Sequence, residues 1–213
     1  MTSWRNPGRL LLVIPLLAGL VGFAGWGPQP RPPAGVKLTV LPTGNEVRYR
    51  VREQLVNVDL PNDAIGRTGA ITGGLALDAT GAVVTPGSQF VIAVGGLTSD
   101  RDRRDGYVRN RLLEAGQYPN VTFVPTAVSG VTLPLPASGE AALTIAGDLT
   151  VKGVTHPVVW QGRAIFAPGQ VSGTASTAFT FGDFGLTKPR VPVLLSVQDT
   201  IRLEYDFTLG VEK

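Results

Sequence analysis

The 213-residue chain has no cysteine, one histidine and one methionine, and only 16% of its residues are charged. Without cysteine there is no disulfide framework, thiol nucleophile or thiolate metal site. The single histidine, His156, stands beside Pro157 with no metal-ligand neighbour at useful spacing and reads as a turn residue. No metal, cofactor or catalytic residue is therefore expected. Neither sign of charge dominates: 19 Lys and Arg oppose 16 Asp and Glu, for a net charge of +3. No basic tail or aromatic RNA-binding signature accompanies them, which argues against a nucleic-acid partner.

Helix-length apolar patterns are scarce, whereas Gly (27) and Pro (17) are plentiful. That balance favours an all-β domain of strands and turns. The length suits one domain plus an N-terminal appendage.

The appendage is residues 1–26. Arg5 and Arg9 precede an uncharged run from Leu10 to Trp26, which reads as a secretory signal or a membrane anchor. Gly22-Phe23-Ala24 resembles a cleavage site, so removal and retention both stay open. The arginines would remain cytoplasmic, placing the rest outside the membrane, periplasmic or at the cell surface. Residues 27–35 carry Pro28, Pro30, Pro32 and Pro33 and read as a semi-rigid linker.

From Val36 onward, alternation predicts strands. Val47, Tyr49 and Val51 interleave with Arg48, Arg50 and Arg52. Ile71, Leu75 and Leu77 follow, then Phe90, Ile92 and Val94. Later come Leu143, Ile145, Leu149 and Val151, then Val158 and Trp160, then Val171, Ala175, Phe179 and Phe181. The clearest is the last, with Ile201, Leu203, Tyr205, Phe207 and Leu209 on one side and polar residues on the other. Eight or so one-sided strands suit a sandwich or a closed barrel, and a strand as long as Val197–Leu209 favours the barrel. No base or nucleophile stands on these apolar faces.

The pattern breaks once, between Leu97 and Phe123. Ser99 or Asp100 is placed to cap a short helix, Val108 and Leu112 fall on one face, and Gly116 offers a left-handed stop. Tyr118-Pro119 then forces extended backbone into a strand at Val121.

Three segments carry a family resemblance: Leu97-Thr98-Ser99-Asp100 through Arg104-Asp105 with Tyr118-Pro119 and Val121-Thr122-Phe123; Gly147-Asp148-Leu149-Thr150-Val151-Lys152-Gly153 with His156-Pro157; and Phe181-Gly182-Asp183-Phe184-Gly185-Leu186. In this order they resemble the YceI-like family of exported polyisoprenoid-binding proteins, over about residues 36–213. The resemblance implies an eight-stranded antiparallel, lipocalin-like β-barrel with one short helix packed against it. It also implies an isoprenoid or similar lipid as ligand.

In such a barrel Tyr49, Ile92, Phe123, Leu149, Trp160, Phe179, Phe181, Ile201, Leu203, Tyr205 and Phe207 are the candidate cavity lining. Arg101 and Arg104 are the headgroup candidates, since guanidinium forks match phosphate. Interleaved Asp100, Asp102 and Asp105 make a self-paired helix face the better reading. A solvated outer strand face is likewise the better reading of Arg48, Arg50 and Arg52, which have only Glu53 close in sequence. Asn120-Val121-Thr122 fits a glycosylation acceptor by chance. Asp183-Phe184-Gly185 matches a kinase triplet without the other kinase signatures. Two further functional classes stay beside the lipid-binding barrel: a β-sandwich interaction or carbohydrate-binding module, and an enzyme working in the cavity. Oligomeric state is not readable, and a membrane partner follows only if the N-terminal segment is retained.

Overall fold

The computed structural model describes residues 35–56 and 58–212. The expected signal or anchor, and the linker except for Gly35, lie outside them. Among the described residues no helix is long and apolar enough to cross a membrane.

Ten strands occur in chain order: β1 (Val36–Val40), β2 (Glu46–Leu55), β3 (Asn62–Thr68), β4 (Ile71–Leu77), β5 (Gln89–Ala93), β6 (Asn120–Ser129), β7 (Gly139–Val151), β8 (Val154–Ala167), β9 (Gln170–Thr180) and β10 (Leu194–Glu212). They close into eight staves. β1 and β2 pair successively with one edge of β10, Lys37 opposite Glu212 and Val51 opposite Ile201, and so form one interrupted stave. β3 and β4 continue it as a second, pairing β2 and β1 respectively. The ring then runs β4–β5–β6–β7–β8–β9–β10 and returns to β1, antiparallel at each step. Among the described residues closure leaves no second sheet, so this domain is a barrel and not a sandwich.

The interruption between β1 and β2 is mended by one side chain. Asn45 Nδ2 donates to the carbonyls of Leu41 (2.8 Å) and Thr208 (3.1 Å), while Asn45 Oδ1 accepts from Thr208 N–H (3.0 Å). An amide side chain thus replaces the ladder that the excursion removes.

The helix patches a gap in the wall. Among the described residues β3 has no strand on its far edge, and the chain after β5 takes that place through Arg67 N–H to Thr98 O (2.8 Å) and Thr98 N–H to Arg67 O (3.1 Å). α1 (Asp102–Tyr107) follows and runs on into a single π turn, Val108–Leu112. The start differs from expectation. Arg101 is the N-cap residue and no side chain caps the helix. Ser99 instead accepts from Arg101 N–H (3.2 Å) and donates to the buried Asp105 carboxylate (2.5 Å). The left-handed residue at the other end is Glu114 (φ 50°), not Gly116. The π turn widens the helix so that Val108, Leu112 and Leu113 all reach the barrel interior.

His156 is the third residue of β8 rather than a turn residue, because the turn is complete at Lys152-Gly153. Its ring packs on Phe184 at 5.8 Å. Asp183-Phe184-Gly185 is a structural turn: Asp183 accepts from Thr180 N–H (2.7 Å), Phe184 packs on Phe179 at 4.6 Å, and Gly185 takes φ 62°.

Candidate functional site

Antiparallel alternation turns every second side chain inward, and the enclosed space is not filled. A cavity of about 1050 Å³ runs inside the barrel, at the upper end of ligand-pocket sizes. Tyr49, Ile92, Phe123, Leu149, Trp160, Phe179, Phe181, Ile201, Leu203, Tyr205 and Phe207 stand on its wall, as do Arg101 and Arg104. The hollow has a sequence origin. Gly162 lies opposite Ala175, and Ala164 and Ala175 are wall residues too short to reach across. Aromatic rings are folded back against glycines elsewhere. A Cβ on Gly66 would stand 2.2 Å from the Tyr49 ring, and one on Gly147 2.7 Å from the Phe123 ring. Each ring therefore lies over a glycine backbone and thickens the wall instead of plugging the lumen.

One polar cluster interrupts the apolar wall. Glu53 shares the inward parity of Val47, Tyr49, Val51 and Leu55, and is only 8% exposed. This corrects the expectation that no ionisable base stands on an apolar face. Arg104 Nη2 meets Glu53 Oε1 at 2.6 Å, and the same guanidinium also binds Asp100. The pair pins α1 to β2 across the wall gap. Arg109 Nη1 adds a hydrogen bond to Leu97 O (2.6 Å). Arg101 is exposed, and among the described residues it approaches one acid, Asp100, at 3.7 Å. Burial pushes Tyr49 up to about 12, so it is a neutral phenol at physiological pH. Burial raises Tyr205 as well, and its hydroxyl donates to Asn45 Oδ1 at 2.8 Å.

The cavity opens at one end. Its exposed wall residues fall in three segments: Val56 and Val58 after β2, Arg101 to Arg103 at the helix start, and Pro192-Val193 before β10. Val56 N–H donates to Val193 O (3.0 Å), joining the first and third. The opposite end is shut by Phe166, 4% exposed, and by Val131, Leu133 and Leu135 of the β6–β7 connection packed on the core. Sequence reading missed this rim. Its signals were the inward parity of Glu53 and the apolar run Val191 to Leu195, which lies outside the strand patterns used to place the core.

Arg48, Arg50 and Arg52 face outward, and they are better compensated than their own neighbourhood in sequence suggested. Arg48 binds Asp206 (2.6 Å), Glu46 (2.8 Å) and Glu204 (3.2 Å); Arg50 binds Glu204 and Asp63 (both 3.0 Å); Arg52 binds Asp63 (3.2 Å). Glu204 and Asp206 come from β10 and Asp63 from β3, which pairing brings alongside, while Glu46 stands two residues from Arg48 on β2 itself. Arg50 holds Glu204, and Arg48 holds Asp206, below the ordinary carboxylate range.

Known proteins share this architecture. A polyisoprenoid binding domain from Saccharophagus degradans, implicated in plant cell wall breakdown, superposes with a TM-score of 0.63 at 16% identity, covering 84% of this chain and 99% of that one. Burkholderia cenocepacia BcnA superposes at 0.58 with 17% identity, covering 79% and 98%. A UPF0312 protein of Pseudomonas putida (strain GB-1) is 30% identical over 100 residues, 44% of this chain and 48% of that protein. The match thus spans about half the length of that curated relative. A family model, the YceI-like domain, matches residues 39–209. Because that match spans nearly all the described residues, the chain belongs to the YceI-like family.

Proposed function

We propose that the barrel binds a long apolar lipid, of the isoprenoid class, with its chain in the lumen and its polar head at the open end. The observation that carries this reading is the cavity itself: about 1050 Å³, walled by aliphatic and aromatic side chains, and open at one end. Each methylene brought in contributes about 0.8 kcal/mol, so a few prenyl units overcome the cost of association. The relative from Saccharophagus degradans, described as a polyisoprenoid binding domain, supports the choice of ligand class. Arg101 is the freer headgroup partner, because Arg104 is already held by Glu53 and Asp100. That same pairing leaves Glu53 without the freedom of a general base, which favours binding over catalysis. We place the domain outside the cytoplasmic membrane, on the strength of Arg5 and Arg9 ahead of the apolar run.

The test is extraction and competition. Full-length protein purified from its native membrane environment should release a stoichiometric lipid into organic solvent, and a fluorescent prenol should bind it. Ala175→Trp, which fills the lumen from β9, should lower both at least tenfold while circular dichroism stays unchanged. A folded Ala175→Trp protein that binds the probe like the parent would sink the reading. For topology, a reporter fused after Lys213 that works only in the cytoplasm would do the same.

A further inference from the structure

Leu60, Leu195 and Val193 are the most exposed large apolar side chains among the described residues, at 75%, 65% and 58%. All three lie at the open end, with Val56 and Val58 beside them. Scattered apolar residues on a surface are ordinary, but a cluster rimmed by polar groups marks a contact surface. Folding gives no reason for this one, since the barrel closes and packs without it.

The surrounding charge indicates what covers the cluster. In the segment before β10, Pro189 and Val191 face the cavity while Lys188 and Arg190 face solvent. Arg103 is exposed at the helix start. Among the described residues, none of these three cations forms a salt bridge, unlike the outward arginines of β2. Three exposed acids, Asp59, Asp100 and Asp102, share the rim. Asp100 is taken up with Glu53 by Arg101 and Arg104, which leaves Asp59 and Asp102 against these three cations and a slight positive balance at this end.

We propose that the open end is a membrane-docking surface. Leu60, Val193 and Leu195 insert among the headgroups of an anionic bilayer, and Arg103, Lys188 and Arg190 lie against its charge, so that the cavity mouth opens directly onto lipid. Apolar insertion combined with attraction between basic side chains and anionic lipid is how interfacial surfaces hold. The reason for docking rests on the lipid-chain reading of the cavity, because an isoprenoid chain leaving a bilayer through water would lose the burial it has there. The geometry of the surface does not depend on that reading.

The absence of cysteine makes a direct test available in the full-length protein. Leu60→Cys and, separately, Leu195→Cys would each carry one environment-sensitive fluorophore. Ile165→Cys, on the outer face of β8 and 47% exposed, is the control. With vesicles of phosphatidylcholine and 30% phosphatidylglycerol containing a nitroxide-labelled lipid, both rim labels should be quenched at least twofold and the Ile165 label should not. Lys188→Gln with Arg190→Gln should weaken the rim quenching several-fold on these vesicles and leave it unchanged on pure phosphatidylcholine. Because all positions sit in the same chain, a membrane-bound N-terminal segment would not by itself produce the contrast. Equal quenching at Ile165 and the rim, or none at the rim, overturns the proposal. So does a rim label whose emission shifts with protein concentration in the absence of vesicles, which would make the surface an interface between copies. Prenol binding measured on the same samples separates the two claims: a barrel that holds the probe without rim quenching defeats docking alone, and rim quenching without probe binding defeats the cavity reading alone.

Discussion

The two ends of the barrel are made from the same strands and meet solvent in opposite ways. At the shut end the β8–β9 turn is two residues long, Phe166 is buried in the core, and Val131, Leu133 and Leu135 fold onto that core. At the open end the β5–β6 and β9–β10 connections are long, and Leu60 of the β2–β3 connection, Val193 of the β9–β10 connection and Leu195 at the start of β10 project outward instead of packing inward. One end spends its hydrophobic residues on stability. The other leaves them exposed around a cavity, where they contribute little to folding. Stability and binding are thus separated along the barrel axis, and the separation can be measured.

The largest effect is expected at the shut end. Phe166→Ala should cost about 3–5 kcal/mol in urea unfolding, the range for a buried aromatic truncated in a packed core. Val193→Ser at the open end should cost less than about 0.5 kcal/mol, as a substitution on an exposed surface does. If the two costs are alike, the ends are not divided as described.

Between these extremes lies the ion pair in the wall. Glu53→Gln leaves Arg104, whose side chain is 11% exposed, with Asp100 as its remaining partner. Removing one member of a buried pair costs more than the pair is worth, and about 3 kcal/mol is expected from unfolding midpoints. Adding Arg104→Met to Glu53→Gln should restore most of it, since a neutral wall has no stranded charge. A double variant as unstable as the single would mean that the helix is held by the salt bridge itself.

What the sequence revealed, and what it hid, follows the range of each interaction. Alternation in β10 is local, so the inward set Ile201, Leu203, Tyr205 and Phe207 could be read directly, and all four stand on the cavity wall. Ring closure is not local: that β1 and β2 share one edge of β10 depends on Asn45 mending the gap, and nothing near Asn45 in sequence announces Thr208 as its partner. Glu53 is legible by parity as an inward residue of β2, although its charge beside Arg52 suggests the outward face. Its partner lies 51 residues away on the helix. The helix ends were misplaced for a related reason. Ser99 has the chemistry of a cap, but Asp105 and Arg101 claim it first.

The smallest effect expected concerns the outer wall, where neither end takes part. Glu204 and Asp206 have carboxyl groups held below their ordinary range by Arg50 and Arg48. A depressed folded value means that the ionised form is favoured by folding. The resulting stability is fully present above the unfolded carboxylate range, and it is lost as pH falls through the folded values. Unfolding midpoints should therefore stay level from neutral pH into mild acid and decline below the ordinary carboxylate range. Asp206 and Arg50 are more than a third exposed on their side chains or close to it, at 44% and 34%, so solvent screening keeps each pair within about 0.2–1 kcal/mol. Glu204→Gln should flatten the acid limb, with a loss at neutral pH no greater than that. Prenol binding should be unchanged, because this ladder lies on the outside of the barrel. An acid limb identical in Glu204→Gln and parent would place the titration elsewhere, and a loss of prenol binding in that variant would mean that the outer ladder sets the shape of the cavity.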